Sequence, residues 1–181
     1  MMTKEKEVIE IPLSKQKLTL MLIGSIVFLV VGVLFVLEPE KYLSVVCRNP
    51  IMIFASGFAS ILFSTICAFY LVRKLPDNKP GLIINKIGLT DNSSGVAAGQ
   101  ILWSDIENIT VKEIHRQKFI LLEVNNPYYY LDKQTNIFKR KMMQMNMKMY
   151  GTPLSLTNNG LQIKFDELFN ILNDHLNTSR Q

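Results

Sequence analysis

Two long runs without a charged side chain, residues 18–37 and 51–72, limit what this chain can fold into more than any other feature. The hydrocarbon core of a bilayer takes about 20 apolar residues in a helix, and both runs have that length. The first has only Thr19 and Ser25 as polar side chains, and the second carries Ser56, Ser60, Ser64 and Thr65, whose hydroxyls can bond back to helix carbonyls. The runs therefore predict two transmembrane helices. A buried core helix of a soluble protein is better matched by an apolar run of about 10–14 residues. A secretory leader fits the first run poorly, because its apolar part is about 7–15 residues long and ends in a small-residue cleavage site. Here Glu38 and Pro39 follow instead.

Lysine and arginine near the runs set the expected orientation. Lys4, Lys6, Lys15 and Lys17 precede the first run and Arg73, Lys74, Lys79 and Lys86 follow the second, against Lys41 and Arg48 between them. Both termini are expected in the cytoplasm, with loop 38–50 outside. Gly24 and Gly32 in the first run, and Ala55, Ser56, Gly57, Ala59 and Ser60 in the second, are small enough to let helices approach closely in lipid. The expectation is one hairpin packed against itself through them, rather than a dimer contact or a transport path. Neither run holds Asp, Glu, Lys, Arg or His, so the usual marks of an ion or proton pathway are missing from them.

Around the runs, the chain divides into a cytoplasmic N-terminal tail (1–17), a linker rich in proline and charge (73–80) and one cytoplasmic domain (81–181). Residues 8–12 alternate in character and fit a short extended piece, read as a linker in preference to an edge strand. Residues 82–84 and 89–90 read as short strands about a break at Asn85, Lys86 and Gly88, and 101–103, 109–114, 119–124 and 152–156 as further strands. A single turn capped at Ser104 is expected before Ile109. Strands at this spacing argue for a mainly antiparallel sheet folded over a core. Residues 131–150 break the pattern: Phe138, Met142, Met145 and Met149 recur at helical spacing among Lys139, Arg140, Lys141 and Lys148, which predicts an amphipathic helix. A closing helix is expected over 165–176, with Asp166 and Glu167 complementing its dipole.

Ile101-Leu102-Trp103-Ser104-Asp105-Ile106, followed by Ile109, resembles a segment of the bacterial pleckstrin-homology-like domains, as does the turn carrying Ile84, Gly88, Leu89 and Asp91. With Tyr150-Gly151-Thr152-Pro153 and the final helix, the chain resembles a small family of bacterial two-span membrane proteins of unassigned function. The resemblance implies a bent sheet or partly open barrel of about seven strands, plugged at one end by the C-terminal helix. It also implies Trp103 in the core and Asp105 ordering the turn after it. The Met-rich helix is an insertion into that fold. The whole is thus expected to be an α+β membrane protein: a two-helix transmembrane hairpin, then a pleckstrin-homology-like domain with an inserted amphipathic helix.

Chemistry-bearing residues are sparse. His115 and His175 read as surface or helix-end histidines, and the sequence has no HExxH, paired CxxC, Walker loop or nucleophile elbow. No catalytic residue, cofactor, metal site or small-molecule substrate is predicted. Cys47, outside, and Cys67, deep in the second run, stand too far apart for a disulfide. Met142, Met143, Met145, Met147 and Met149 are soft ligands suited to Cu(I), but no cysteine or histidine lies near them in sequence. A flexible apolar contact surface is the stronger functional reading of the methionines, beside a basic run suited to anionic lipid. Lys139, Arg140, Lys141, Met142, Met145, Lys148 and Met149 are accordingly the candidate contacts with lipid or a protein partner. The structural reading beside it is a helix that packs its methionines on the sheet and solvates its lysines. Tyr128, Tyr129 and Tyr130 are read either as strand core and edge or as an interfacial aromatic contact. The net charge of +5 is mild, and membrane proximity accounts for it without nucleic acid.

The expected function is that of a non-enzymatic protein of the bacterial inner membrane whose cytoplasmic domain binds a protein partner, a second copy or the membrane surface. The alternative is a membrane-resident immunity or stress protein acting against a membrane-targeting toxin, with the hairpin as its active part. A weaker one is an accessory subunit of a membrane enzyme or transporter.

Overall fold

A computed structural model describes residues 8–43 and 49–180. Cys47 lies outside the described residues. The chain is α+β and divides into a helical unit, Lys15–Asp77, and a β-rich unit formed by the described residues up to Ser14 together with those from Asn78 onward.

The helical unit consists of α1 (Lys15–Leu37) and α2 (Pro50–Lys74), joined through a short 3-10 turn at Pro39–Tyr42. Each helix extends past its apolar run, α1 by starting at Lys15 and α2 by reaching Lys74, because lysine and arginine are good helix formers. Asn49 caps α2 by accepting from Ile51 N at 2.9 Å, with Pro50 in the first helical position. Both helices are long and apolar enough to cross a membrane, and only 11% and 17% of their most apolar stretches are buried. A core helix of a soluble protein would be mostly buried, so this exposure is consistent with a membrane protein.

The helices touch at their glycines. A Cβ on Gly32 would stand 2.9 Å from Gly57 O, and one on Gly57 would stand 2.8 Å from Gly32 O. Ser60 Oγ adds a bond across to Phe28 O at 3.0 Å. Packing of the hairpin on itself thus holds for Gly32, Gly57 and Ser60. It does not hold for Gly24, where nothing lies within 4 Å of an added Cβ. At the other end of the pair, Lys15 Nζ donates to Leu75 O at 2.6 Å and to Asp77 O, and Lys74 pairs with Asp77 at 2.8 Å.

In the β-rich unit, seven strands among the described residues form two antiparallel sheets. The first has the order β1-β2-β3-β4, from β1 (Ile9–Ile11), β2 (Leu82–Ile84), β3 (Gly88–Asp91) and β4 (Gly99–Leu102). The second has the order β5-β6-β7, from β5 (Ile106–Ile114), β6 (Gln117–Val124) and β7 (Leu154–Leu156). The N-terminal piece is therefore a strand and not a linker, with Ile9 opposite Ile84 and Ile11 opposite Leu82. Ile11 is buried, which is the apolar gain that fixes this segment on the sheet. β5 and β6 form a hairpin whose two turn residues, His115 and Arg116, both have positive φ, as a type I′ turn requires. The turn expected at Ser104 is a 3-10 turn, Trp103–Asp105, and β5 starts directly after it.

The two sheets share one core with the C-terminal helix α5 (Phe165–Ser179), which inserts Leu168, Leu172 and Leu176 among Ile84, Leu89, Ile101, Ile120 and Leu122. The i, i+4, i+8 spacing of the three leucines is the apolar stripe of an amphipathic helix. Trp103 is buried in this core, and its indole N–H donates to Asn85 O at 2.8 Å.

Two further helices, α3 (Pro127–Asp132) and α4 (Ile137–Tyr150), lie between β6 and β7. Tyr128, Tyr129 and Tyr130 sit on α3, so the strand reading of this triplet is overturned. Pro127 in the first helical position and Asn126, which accepts from Tyr129 N at 3.3 Å, start a helix where the aromatic residues alone suggested a strand. The single helix expected over 131–150 is two, broken between Lys133 and Asn136.

Candidate functional site

The α3–α4 segment gathers the residues that the sequence singles out. Asn136 caps α4 by accepting from Lys139 N at 3.1 Å, and Gly151, at φ 81°, ends it by donating to Met147 O at 2.9 Å. Met143 is fully buried in the core, Met147 packs against the core, and Asn146 Nδ2 donates to Ser155 Oγ on β7 at 3.1 Å. These three residues hold α4 to the second sheet.

The apolar stripe visible in the sequence is a different one. Phe138, Met145 and Met149 are 65%, 53% and 59% exposed, Ile137 is 75% exposed, and Met142 is half-buried. The reading of a helix that packs its methionines on the sheet holds for Met143 and Met147 and not for this stripe. Residues advance by about 100° on a helix, so Met143 and Met147 point away from the line Phe138-Met142-Met145-Met149. Asn146 interrupts the packed face and hides it from a hydropathy pattern.

The same geometry divides the basic residues. Lys141 and Lys148, seven positions apart, are exposed on the side of the free apolar stripe. Lys139 lies about 200° from Lys141 and is half-buried. Burial lowers the Lys139 ammonium from the ordinary lysine value, against the attraction of Asp91. Arg140 pairs with Asp132 at the end of α3, Nη2 to Oδ1 at 2.7 Å. The run Lys139-Arg140-Lys141 is therefore not a single patch. M-x-M neighbours are split in the same way, so Met143 and Met145 do not converge on one point.

Beside this face, Tyr128 and Tyr129 are exposed on α3, and Lys133 Nζ lies 5.7 Å from the Tyr129 ring centre. Tyr130 turns inward. Its hydroxyl donates to Asp105 at 2.6 Å and accepts from Leu102 N at 3.4 Å, fixing α3 to the turn after β4. Burial and the Asp105 carboxylate push the Tyr130 hydroxyl above its ordinary value, so it stays a proton donor at neutral pH.

Two features were not visible in the sequence. Asp91, at the end of β3, is buried and accepts from Ser93 N at 2.8 Å and Ser93 Oγ at 2.6 Å. A concavity of about 300 Å³ is lined by Lys86, Trp103, His175, Thr178 and Ser179, with the His175 ring stacked on Trp103 at 5.9 Å. Its residues come from separate parts of the chain, so no local motif announces it. Thr178 and Ser179 donate their hydroxyl protons to Asp174 O and Leu176 O. Among the described residues no group of three or more His, Cys, Asp or Glu side chains is arranged to hold a metal ion.

Comparisons with family models, with curated proteins and with solved structures return no match.

Proposed function

We propose that the chain is a non-enzymatic integral protein of the bacterial inner membrane, anchored by α1 and α2 with both termini in the cytoplasm. Its β-rich unit is a pleckstrin-homology-like domain that docks on the anionic membrane surface through α3 and α4. The carrying observation is the free stripe Phe138, Met142, Met145 and Met149 with Lys141 and Lys148 along one flank and Tyr128 and Tyr129 nearby. Apolar side chains gain by entering the boundary between headgroups and acyl chains, and each lysine near an anionic surface adds about 1 kcal/mol. Tyrosine suits the same depth, its ring in the apolar layer and its hydroxyl in water. The paired antiparallel sheets closed by α5 support the domain assignment, and the Lys and Arg distribution around the spans supports the orientation.

The test uses the full chain in liposomes of phosphatidylglycerol or of phosphatidylcholine, with hydrogen exchange of the α4 amides as the readout. Protection of α4 should be greater in phosphatidylglycerol and should be lost on replacing Met145 and Met149 by Ser together with Lys141 and Lys148 by Gln. Equal exchange in both lipids would refute docking on an anionic surface. A stoichiometric protein that co-purifies in mild detergent and is released by the two methionine substitutions would reassign this face to a protein partner.

A further inference from the structure

The exposed stripe on α4 is not the only apolar surface left open. A crevice of about 440 Å³ opens between α1 and α2, with Gly24, Ser25 and Ser64 among its lining and Phe28, Phe63 and Tyr70 as bulky walls. Gly32 and Gly57 are explained by close contact of the two helices, and Gly24 is not, since nothing lies within 4 Å of where its Cβ would stand. The hydroxyls tell the same story. Ser60 bonds across to Phe28 O, whereas Ser64, one turn further along α2 and 1% exposed, has a hydroxyl without a hydrogen-bond partner. The close contact at Gly32–Gly57 is therefore missing at Gly24, and the crevice there is lined also by Ser64, which is buried with its hydroxyl unpartnered.

We infer that this crevice is a lipid site that holds one acyl chain of an anionic phospholipid. The inference rests on the proposal that α1 and α2 span the membrane. A crevice lined almost wholly by apolar atoms and bathed in hydrocarbon loses dispersion contacts if it stays empty. Its volume of about 440 Å³ suits a single flexible chain better than the roughly 10 Å cylinder of another helix. From Met21 to Phe28 it runs for about 10 Å along α1, in the direction in which a chain descends from the membrane surface. The end nearest Met21 and Tyr70 is the basic one: Lys17 lies one turn beyond Met21, and Arg73, exposed and placed over the Phe69 ring at 4.4 Å, lies one turn beyond Tyr70. A negative headgroup is complementary to that end.

The test keeps the two readings apart. The full chain is reconstituted, washed at alkaline pH to score membrane insertion, then extracted in mild detergent and examined by native mass spectrometry with phosphatidylglycerol or phosphatidylcholine of matched chains. One retained phospholipid per chain is expected, with phosphatidylglycerol favoured about tenfold. Gly24→Leu should lower retention about tenfold by filling the crevice, and Gly24→Ala should lower it less. Replacing Lys17 and Arg73 by Gln should equalise the two headgroups while the chain stays bound. Unchanged retention by Gly24→Leu overturns the inference alone, as does a dimer that Gly24→Leu dissolves, which would assign the crevice to a second copy. A protein removed by the alkaline wash overturns the anchor reading and this site with it.

Discussion

Asp91 is the residue at which burial and charge conflict most directly. Burial raises its carboxyl above the ordinary value of 3.8, against hydrogen bonds from Ser93 and Ala98 and the more distant Lys139. A raised acid binds its proton more tightly in the folded than in the unfolded state, so it adds stability below the unfolded value that is lost as pH rises through the folded one. Asp91→Asn keeps an acceptor for Ser93 and cannot ionise. In detergent-solubilised full-length protein, the unfolding midpoint followed by the fluorescence of Trp103, the one tryptophan of the chain, should fall less steeply for Asp91→Asn than for wild type as pH rises above the ordinary carboxylate value. Equal slopes would mean that Asp91 does not set the pH dependence. In sequence this aspartate reads as an ordinary turn residue between a strand and a Ser-rich loop, because nothing local reports that two sheets will close over it. The core position of Trp103 was implied by the resemblance of its segment to pleckstrin-homology-like domains, and the residue is buried.

At the scale of the element, α4 shows how a hydropathy pattern can find a helix and misplace its face. The sequence holds two apolar lines, Met143-Met147 and Phe138-Met142-Met145-Met149, and periodicity favours the longer one. Only the sheet decides between them, through the space for Met143 in the core and the bond from Asn146 to Ser155. The two lines should separate under mutation. Met143→Ala should cost about 2–5 kcal/mol through lost burial and a cavity. Met145→Ser should stay within about 0.5 kcal/mol of wild type because its side chain is already in solvent. Chemical denaturation followed at Trp103 measures both, and a costly Met145→Ser would place that side chain in a packed contact. The helix ends were less visible: Asn126 and Asn136 look like generic turn residues until each is seen accepting from the third backbone N–H after it.

The whole molecule is knit by connectivity that a linear reading undervalues. β1, three residues long, precedes α1 in the chain and pairs with β2, which follows α2. The β-rich unit is consequently joined to the helices by two routes: the linker before β2, and the strand β1 with its covalent connection to Lys15. A protease site placed between Asp77 and Pro80, cut in the membrane-bound protein, should leave the β-rich unit in the membrane pellet. Deleting residues 9–11 in the same variant should release it to the supernatant after the cut in phosphatidylcholine liposomes, where the α3–α4 face has no anionic surface to dock on. Release with β1 intact would show that the strand does not hold by itself. Hydropathy and length were enough for the two long helices, the strand-rich remainder and the closing helix α5, because those features depend on local periodicity and on how much apolar surface a segment carries. The partner of β1, the face that α4 buries, the ionisation of Asp91 and the gap beside Gly24 depend on which distant segments meet, and a property of pairs separated by tens of residues is not carried by either segment alone.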